Sequence, residues 1–217
     1  MDISILYKMS YGVYILAVMD GDRPTGCVAN SAMQITVEPP TVAVSINKDN
    51  FSNECIRKAK KFSLSILHEA CDPSIIGSFG FSSGKDTDKF DAFGFEMVDG
   101  VPVVKDSIGA IILELKDSME TSTHTVFLGE MVDGVTFNKE EPMTYAYYHN
   151  VLKGKTGKNA PTYRGEEDDG EDITSKKKHA FKCRICGYIE ETDFDELPED
   201  YKCPICKKDR TYFEKLY

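Results

Sequence analysis

The sequence lacks the features of a membrane or secreted protein. Its 217 residues include no apolar run close to the ~20 residues that a membrane-spanning helix needs. No basic segment followed by an apolar segment opens the chain, so the sequence predicts no signal peptide. We therefore expect a protein of the cytoplasm that is not bound to a membrane.

Basic residues are in short supply, with 26 Lys and Arg against 36 Asp and Glu and a formal net charge of -10. Most of this acidic excess falls in residues 1–153. Nucleic acids are bound through Lys and Arg that neutralise phosphates, so the charge argues against a nucleic-acid partner and an anionic membrane surface. Acidic charge mostly serves solubility, and it also permits docking to a basic patch on a protein partner.

Several nucleotide-binding and catalytic motifs are missing too. No Gly-x-Gly-x-x-Gly follows a strand-like run, so the sequence excludes a Rossmann dinucleotide site. It contains no P-loop, no His-Glu-x-x-His and no Ser-His-Asp or Cys-His arrangement. The common nucleophile-based and zinc-peptidase active sites are thereby excluded.

The C-terminal segment carries two Cys-x-x-Cys pairs. Their four thiols belong to Cys183, Cys186, Cys203 and Cys206. Two such turns facing each other form a tetrahedral cage of four sulfurs, which suits zinc or iron. Gly187 directly after the first pair fits this turn, because glycine adopts a positive φ at little cost.

The remaining cysteines, Cys27, Cys55 and Cys71, are scattered and odd in number. That pattern favours a reducing cytoplasm over a disulfide scaffold. Cys27 and Cys55 lie in apolar contexts, so we expect them to be small core residues.

The first part of the chain is rich in strand signals. Apolar, β-branched and aromatic runs between turn residues predict strands at 11–19, 25–29, 34–37, 41–46, 62–66, 107–115 and 124–132. Helical segments are fewer, at 55–59 with Asn50 or Ser52 as the cap, and after Pro73. Residues 145–152 fit either a strand or a short helix whose aromatics pack over the barrel mouth or the other subunit. Many antiparallel strands with few helices predict a mainly β fold that closes into a barrel.

Five short segments then occur in a characteristic order, at 26–31, 36–40, 44–47, 88–90 and 124–130. Through these segments residues 1–153 resemble the flavin reductase-like split-barrel family, which includes the flavoredoxins. The resemblance implies a split β-barrel that binds FMN and forms a homodimer with the flavin near the subunit interface. The flavin performs the hydride chemistry, so the protein supplies position and electrostatics.

Carried over by position, the resemblance implies five contacts near the flavin ring. Asn30 and Ser31 would line the isoalloxazine, and Ser45 and Asn47 would hold the ribityl chain or the ring edge. His124 would lie near the ring within reach of the nicotinamide of NAD(P)H, and it is the one catalytic candidate. Simpler roles stay open. Asn30 and Ser31 can be loop or cap residues, Ser45 a strand residue and Asn47 a turn residue. His124 can be an ordinary hydrogen-bonded histidine.

The same resemblance implies a phosphate site. Ser52 and Lys89 would bind the FMN phosphate, with Ser83 in support. Hydroxyl groups and a lysine suit a phosphate dianion. Each residue also has an alternative role, since Ser52 can cap a helix, Ser83 can be an ordinary loop residue and Lys89 can pair with acidic neighbours at the surface.

The segment 179–217 resembles rubredoxin through the motif Phe-x-Cys-x-x-Cys-Gly-Tyr followed by Tyr-x-Cys-Pro-x-Cys. The spacer between the pairs is shorter than in free-standing rubredoxins and similar to the compact form fused in rubrerythrins. The expected small core consists of five aromatic residues, Phe181, Tyr188, Phe194, Tyr201 and Phe213. A domain this short needs a metal to fold.

Two positions depart from the rubredoxin pattern. Tyr201 stands where rubredoxins usually have Trp, and the whole chain contains no Trp. Lys207 stands where a glycine normally follows the second pair, so we expect a positive φ at a non-glycine residue. A structural zinc ribbon is the alternative to an iron site, and the aromatic pattern and the attached flavin domain favour iron.

Residues 154–178 are predicted to form a polar linker arm. An acidic block at 166–172 precedes three lysines at 176–178, and no apolar pattern accompanies them. The tether either lets the metal module swing between the flavin and an outside partner or serves as an inert spacer.

Both resemblances together imply a flavin reductase-like domain fused to a rubredoxin domain, as in the proteins called high-molecular-weight rubredoxins. The implied electron path runs from NAD(P)H through FMN and an iron ion to an external redox protein, a flavodiiron protein that reduces O₂ or NO. Three alternatives stay open. They are an electron shuttle reduced by a separate reductase, a reductase that releases reduced flavin, and a flavin reductase with a zinc ribbon used for docking.

Overall fold

The computed structural model describes residues 4–154, 157, 160–163, 179–192 and 194–216. Its strands are β1 (Tyr14–Asp20), β2 (Arg23–Ala29), β3 (Ala32–Val37), β4 (Pro40–Asn47), β5 (Lys61–Ile66), β6 (Phe95–Val98), β7 (Val101–Val104), β8 (Gly109–Glu120), β9 (His124–Thr136), β10 (His179–Cys183), β11 (Ile189–Thr192) and β12 (Phe213–Lys215). Its α-helices are α1 (Phe51–Ala59), α2 (Ser74–Phe81) and α3 (Tyr145–Asn150). Short 3₁₀ helices cover Ser4–Lys8 and Arg210–Tyr212.

One large sheet dominates the first part of the chain. Its seven strands run in the order β2-β1-β5-β8-β9-β4-β3, and every neighbouring pair is antiparallel. The ladder does not close, because β2 and β3 remain at its two ends. The sheet curls instead, so that apolar residues of β2 and β4 share one core with α1. The mainly β, split-barrel architecture is confirmed, whereas the closed barrel expected from the strand pattern is wrong, because no ladder joins the two end strands in the part of the chain that the structure describes.

Strand β1 is buried on both faces. Leu16 and Val18 belong to the barrel core, whereas Ile15 and Ala17 belong to a second core that includes residues of α2. Successive strand side chains point to opposite faces, so a strand between two cores needs apolar residues at every position. This explains why the run lacks polar alternation, and it fixes α2 against the outside of the barrel.

Helix α1 has a well-defined cap at each end. The Asn50 side chain accepts a hydrogen bond from the backbone N–H of Ser52, and Lys60 ends the helix with φ 61. Lys60 also donates its backbone N–H to the carbonyl of Ile56. Asn50 is therefore the N-cap, and Ser52 lies inside the first turn rather than capping the helix.

Helix α2 begins after Pro73, and the Asp72 carboxylate accepts a hydrogen bond of 2.9 Å from the Ser74 backbone N–H. Its apolar side chains pack in the core outside β1. Glycines at 77 and 80 leave parts of the helix surface without side chains. The helix thus holds to the barrel on one side and presents bare backbone elsewhere.

The hairpin β6–β7 is absent from the sequence-based assignment. Asp99 and Gly100 form its turn with φ values of 47 and 81. Positive φ at both turn residues is typical of a two-residue hairpin turn, for which Asp-Gly is a strong sequence signal. All four residues of β7 are buried, which marks the hairpin as part of the core.

The other predicted elements are present with shifts of a few residues at their ends. Strands β8 and β9 run further than predicted, to Glu120 and Thr136, and the ambiguous segment 145–152 contains α3. Most of the predicted linker 154–178 lies outside the described residues. Within the described ranges, no helix is long and apolar enough to cross a membrane.

The two-sided burial of β1 predicts a large effect of Ile15→Ala. Ile15 is fully buried, so its truncation should lower the free energy of unfolding by about 2–5 kcal/mol through lost transfer energy and a residual cavity. Met97→Ala is the control, because the Met97 side chain is about half exposed and its truncation should cost under about 0.5 kcal/mol. Urea denaturation measures both, and equal losses would contradict the packing described.

Candidate functional site

The four C-terminal cysteines converge on one point. Their Sγ atoms all lie within 4.8 Å of one another. Cys183 and Cys206 are 3.6 Å apart and Cys186 and Cys203 are 3.4 Å apart, Sγ to Sγ. A tetrahedral ion with bonds of about 2.3 Å has sulfur–sulfur edges of about 3.8 Å. The cage therefore fits a tetrahedral zinc or iron ion, as predicted.

The two Cys-x-x-Cys turns repeat one backbone pattern. The N–H of Gly187 donates to the Cys183 carbonyl at 2.8 Å, and the N–H of Lys207 donates to the Cys203 carbonyl at 2.9 Å. Gly187 has φ 76 and Lys207 has φ 57. The positive φ predicted for Lys207 is confirmed, and its cause is that the second turn copies the geometry of the first.

Aromatic residues surround the cage. Tyr188 and Tyr201 both donate their hydroxyl groups to Glu190 Oε2, at 2.8 and 2.6 Å. Burial and then this carboxylate raise the pKa of both phenols, so they remain protonated donors. Phe213 packs edge-to-face on Tyr201. The core role predicted for Phe194 is wrong, because its side chain is 67% exposed.

An open pocket lies at the end of the barrel beside α2 and α3. Asn30, Ser45 and Asn47 line it together with the cap residue Asn50. Apolar and aromatic walls come mainly from Ile76, Phe81, Tyr145 and Tyr148. Apolar walls with a few convergent polar groups are typical of sites that bind small molecules and cofactors.

The other predicted ring contacts lie on the neighbouring strands. The Ser31 hydroxyl donates to Asn30 Oδ1 at 3.0 Å, and the Ser31 carbonyl accepts from the Ser45 N–H. His124 on β9 pairs with Asn47 on β4. The structure therefore brings all five residues to one end of β3, β4 and β9, and their roles toward a flavin stay predictions.

One ring nitrogen of His124 has a hydrogen-bond partner, and the other has none within the described part of the chain. Its Nδ1 lies 2.8 Å from the Thr123 hydroxyl. Its Nε2 is buried and has no hydrogen-bond partner within the described part of the chain. An unpaired buried polar atom is costly, so Nε2 is a contact available to a bound group.

The three residues predicted at the phosphate are more dispersed. Ser52 and Lys89 are buried, and Lys89 Nζ donates to the carbonyls of Gly26 and Phe79 at 2.9 and 3.1 Å. Burial lowers the pKa of Lys89. Ser83 accepts a hydrogen bond from the Lys85 N–H in an exposed loop. In this arrangement Lys89 hydrogen-bonds to backbone carbonyls, and its role at the phosphate stays a prediction.

The segment after α3 forms one wall of the pocket. Gly157, Ala160 and Pro161 line it. The Asn30 amide donates to the Thr162 hydroxyl at 2.6 Å, and that hydroxyl donates to the Tyr145 hydroxyl at 2.9 Å. Tyr145 and Tyr148 lie at the barrel mouth, and packing of this segment on another subunit stays a prediction. Sequence reasoning named Asn50 as a helix cap but not as a pocket residue, and it missed Thr162.

The pocket and the cage lie next to each other. Phe81 lines the pocket and also packs in the apolar cluster that contains Cys183, Cys186 and Cys203. Burial, and next the charge of Cys186, raises the pKa of the pocket residue Tyr148. The two sites are therefore separated by little more than a layer of side chains.

Comparisons with known proteins agree with this two-part construction. Residues 6–155 match the family described as Flavin reductase like domain, and residues 181–214 match the Rubrerythrin, rubredoxin-like domain. The chain is 38% identical to the High molecular weight rubredoxin of Moorella thermoacetica, with 100% of both chains covered. It is 35% identical to the Ferric-chelate reductase (NAD(P)H) of Archaeoglobus fulgidus over 75% of this chain and 98% of that protein.

A solved structure shares the fold of the first part. The NADH:FAD oxidoreductase SgcE6 of Streptomyces globisporus C-1027 superposes with a TM-score of 0.60 at 22% identity, covering 64% of this chain and 84% of that one. The family match spans the barrel and its pocket, and the rubredoxin-like match spans the cage. The chain belongs to the flavin reductase-like family, and it is an oxidoreductase that carries a rubredoxin-like domain at its C-terminal end.

Proposed function

We propose that the chain passes electrons from NAD(P)H through bound FMN to an iron ion in the cysteine cage and on to an external acceptor. The observation that carries the proposal is Phe81, which lines the pocket and packs in the apolar cluster of the cage. FMN would take a hydride from NAD(P)H. The ferric ion would take one electron from the reduced flavin, pass it to the acceptor and then take the second, while a proton leaves to water. The protein needs only to hold both groups close together.

Side chains at the pocket end of β3, β4 and β9 would orient the flavin ring. Asn30 and Ser31 would hydrogen-bond its polar edge, with Ser45 and Asn47 beside them. The unpaired Nε2 of His124 would contact the ring or the nicotinamide. The names of the Archaeoglobus fulgidus reductase and of SgcE6 include nicotinamide dinucleotides, which supports NAD(P)H as the electron donor for this chain.

The phosphate would lie at the start of α1. Asn50 caps this helix and lines the pocket, and the N-terminus of a helix attracts anions through its free N–H groups. Ser52 follows in the first turn. In this proposal Lys89 supplies positive charge from its buried position, and Ser83 supports it from the nearby loop.

The proposal also covers the domain boundaries, the identity of the metal and the location in the cell. The domains would be 1–153 for the flavin, 154–178 for the linker and 179–217 for the metal. Iron rather than zinc would fill the cage, as in the rubredoxins it resembles. The buried free thiols of Cys27, Cys55 and Cys71 fit a cytoplasmic location.

The external acceptor would be a redox protein of the flavodiiron type. Beside the cage, Ile185 is 39% exposed and gives such a partner an apolar contact point. Exposed apolar side chains next to a buried redox site are a means of close approach without a large interface.

We also propose a homodimer that pairs through β3. This end strand exposes Met33, Ile35 and Val37, by 66%, 47% and 81%. Exposed apolar side chains on an unpaired edge mark an association surface. The resemblance to the flavin reductase-like family implies a flavin near the same subunit interface.

An anaerobic titration with NADH, and then with NADPH, tests the electron path by visible absorbance. We expect both the flavin and the ferric-thiolate bands to bleach in the native protein. Cys186→Ser should lose the ferric band and reduction of the acceptor but keep flavin reduction, because it removes one of four ligands. Cys55→Ala, a buried thiol outside the cage, is the control. A native protein without a ferric band would favour the zinc alternative.

Asn30→Ala tests the flavin pocket. Loss of one hydrogen-bonding amide should weaken FMN binding roughly 2- to 10-fold, which corresponds to about 0.5–1.5 kcal/mol. Fluorescence titration of the flavin-free protein measures the dissociation constant. Asn138→Ala is the matched control, because its amide bonds the Ser107 carbonyl instead. Equal affinity in both variants would argue against the assigned pocket.

Replacing Met33 and Val37 together with lysine tests the dimer. Two charges in an apolar interface should convert the dimer to a monomer, as measured by light scattering after size-exclusion chromatography. Met97→Lys adds a charge at another exposed methionine and should leave the dimer intact. A monomeric native protein would disprove this part of the proposal.

A further inference from the structure

Helix α2 approaches the cage most closely at Gly77, a position without a side chain. A Cβ atom placed on Gly77 would lie 2.3 Å from the carbonyl oxygen of Ile205 and 2.8 Å from the Cα of Cys206. Real Cβ atoms do not approach backbone atoms so closely. The second Cys-x-x-Cys turn therefore rests on the helix backbone, and only glycine permits this approach.

Neighbouring residues complete this contact. Ile205 is only 1% exposed and packs with Phe81 in the cluster around the cage. Lys207 Nζ lies 3.5 Å from a carboxylate oxygen of Asp72, just before α2. Both side chains are about half exposed, so this ion pair adds little stability. Shape complementarity at Gly77 and Phe81 therefore makes up most of the contact.

The two cage turns differ in their surroundings although they share a sequence pattern. Ile185 occupies the place in the first turn that Ile205 occupies in the second. Ile205 is buried at the α2 contact, whereas Ile185 is exposed. The contact thus selects one of two equivalent turns, which argues for a defined orientation of the metal domain.

We propose that Asp72, Gly77 and Phe81 form a docking seat for the turn 203–206, which holds the cage beside the flavin pocket during electron transfer. The transfer role rests on the proposed function. The seat would keep the cage close to the flavin of the same chain for two successive one-electron transfers. A metal domain that left it would have a longer path and a slower transfer.

Two glycines of the same helix give a matched pair of variants. Gly77→Ala places a methyl group against the backbone of the metal domain. Among the described residues, a Cβ on Gly80 meets only the Val28 side chain, at an ordinary 3.5 Å. Gly80 also lines the pocket, so the FMN content of both variants is measured before they are compared. Alanine favours a helix over glycine at either position, so a difference between the variants reports the seat rather than the stability of α2.

The test uses the full chain loaded with FMN and iron. Overpacking at Gly77 should shift the balance from seated to unseated metal domain by roughly 5- to 150-fold. We expect a larger radius of gyration by X-ray scattering and faster amide hydrogen exchange in α2 and in 203–207. Gly80→Ala should match the native protein in both. Equal behaviour of the two variants would overturn the seat, and circular dichroism would verify that both are folded.

Stopped-flow mixing with NADH then tests the role of the seat in electron transfer separately from the proposed electron path. In Gly77→Ala we expect bleaching of the ferric band to slow relative to bleaching of the flavin. Unseating without such slowing would overturn the role of the seat in electron transfer and leave the proposed path standing. If neither NADH nor NADPH reduces the metal in the native protein, the proposed function fails, and scattering and exchange still decide whether the seat exists.

Discussion

The burial of β1 on both faces is the constraint on which the arrangement depends. Leu16 and Val18 fill the barrel, and Ile15 and Ala17 hold the core that contains α2. Because α2 is fixed on the outside of the barrel, its Phe81 can reach the pocket and its Gly77 can face the cage. A half-buried β1 would leave the helix without support, and the two sites would have no common element between them.

Features that depend on local sequence could be predicted, and those that depend on distant contacts could not. The cage and the positive φ of Lys207 follow from a short repeated motif whose turn geometry is built in. Phe194 looks like a core aromatic, yet whether it is buried depends on how the spacer between the pairs folds back. The hairpin turn at Asp99 and Gly100 was a local signal that could have been recognised.

The pocket residues also divide into those that could be predicted from the sequence and those that depend on distant contacts. Asn30, Ser45 and Asn47 follow from the family resemblance, and the structure places all three on its wall. Thr162 lies far from Asn30 in the chain, and no spacing rule connects them. Lys89 illustrates the opposite difficulty, because a lysine among acidic neighbours looks exposed in the sequence. Its ammonium is instead buried and donates to two backbone carbonyls.

The unequal exposure of the two cage isoleucines affects how the electron donor and the electron acceptor reach the metal domain. Ile205 is covered by the same chain, and Ile185 faces solvent. In the proposed electron path, donor and acceptor would therefore not compete for one surface, and a partner could bind before the metal domain is reduced. Turnover would then proceed through a complex in which both are present at once, rather than through alternating encounters.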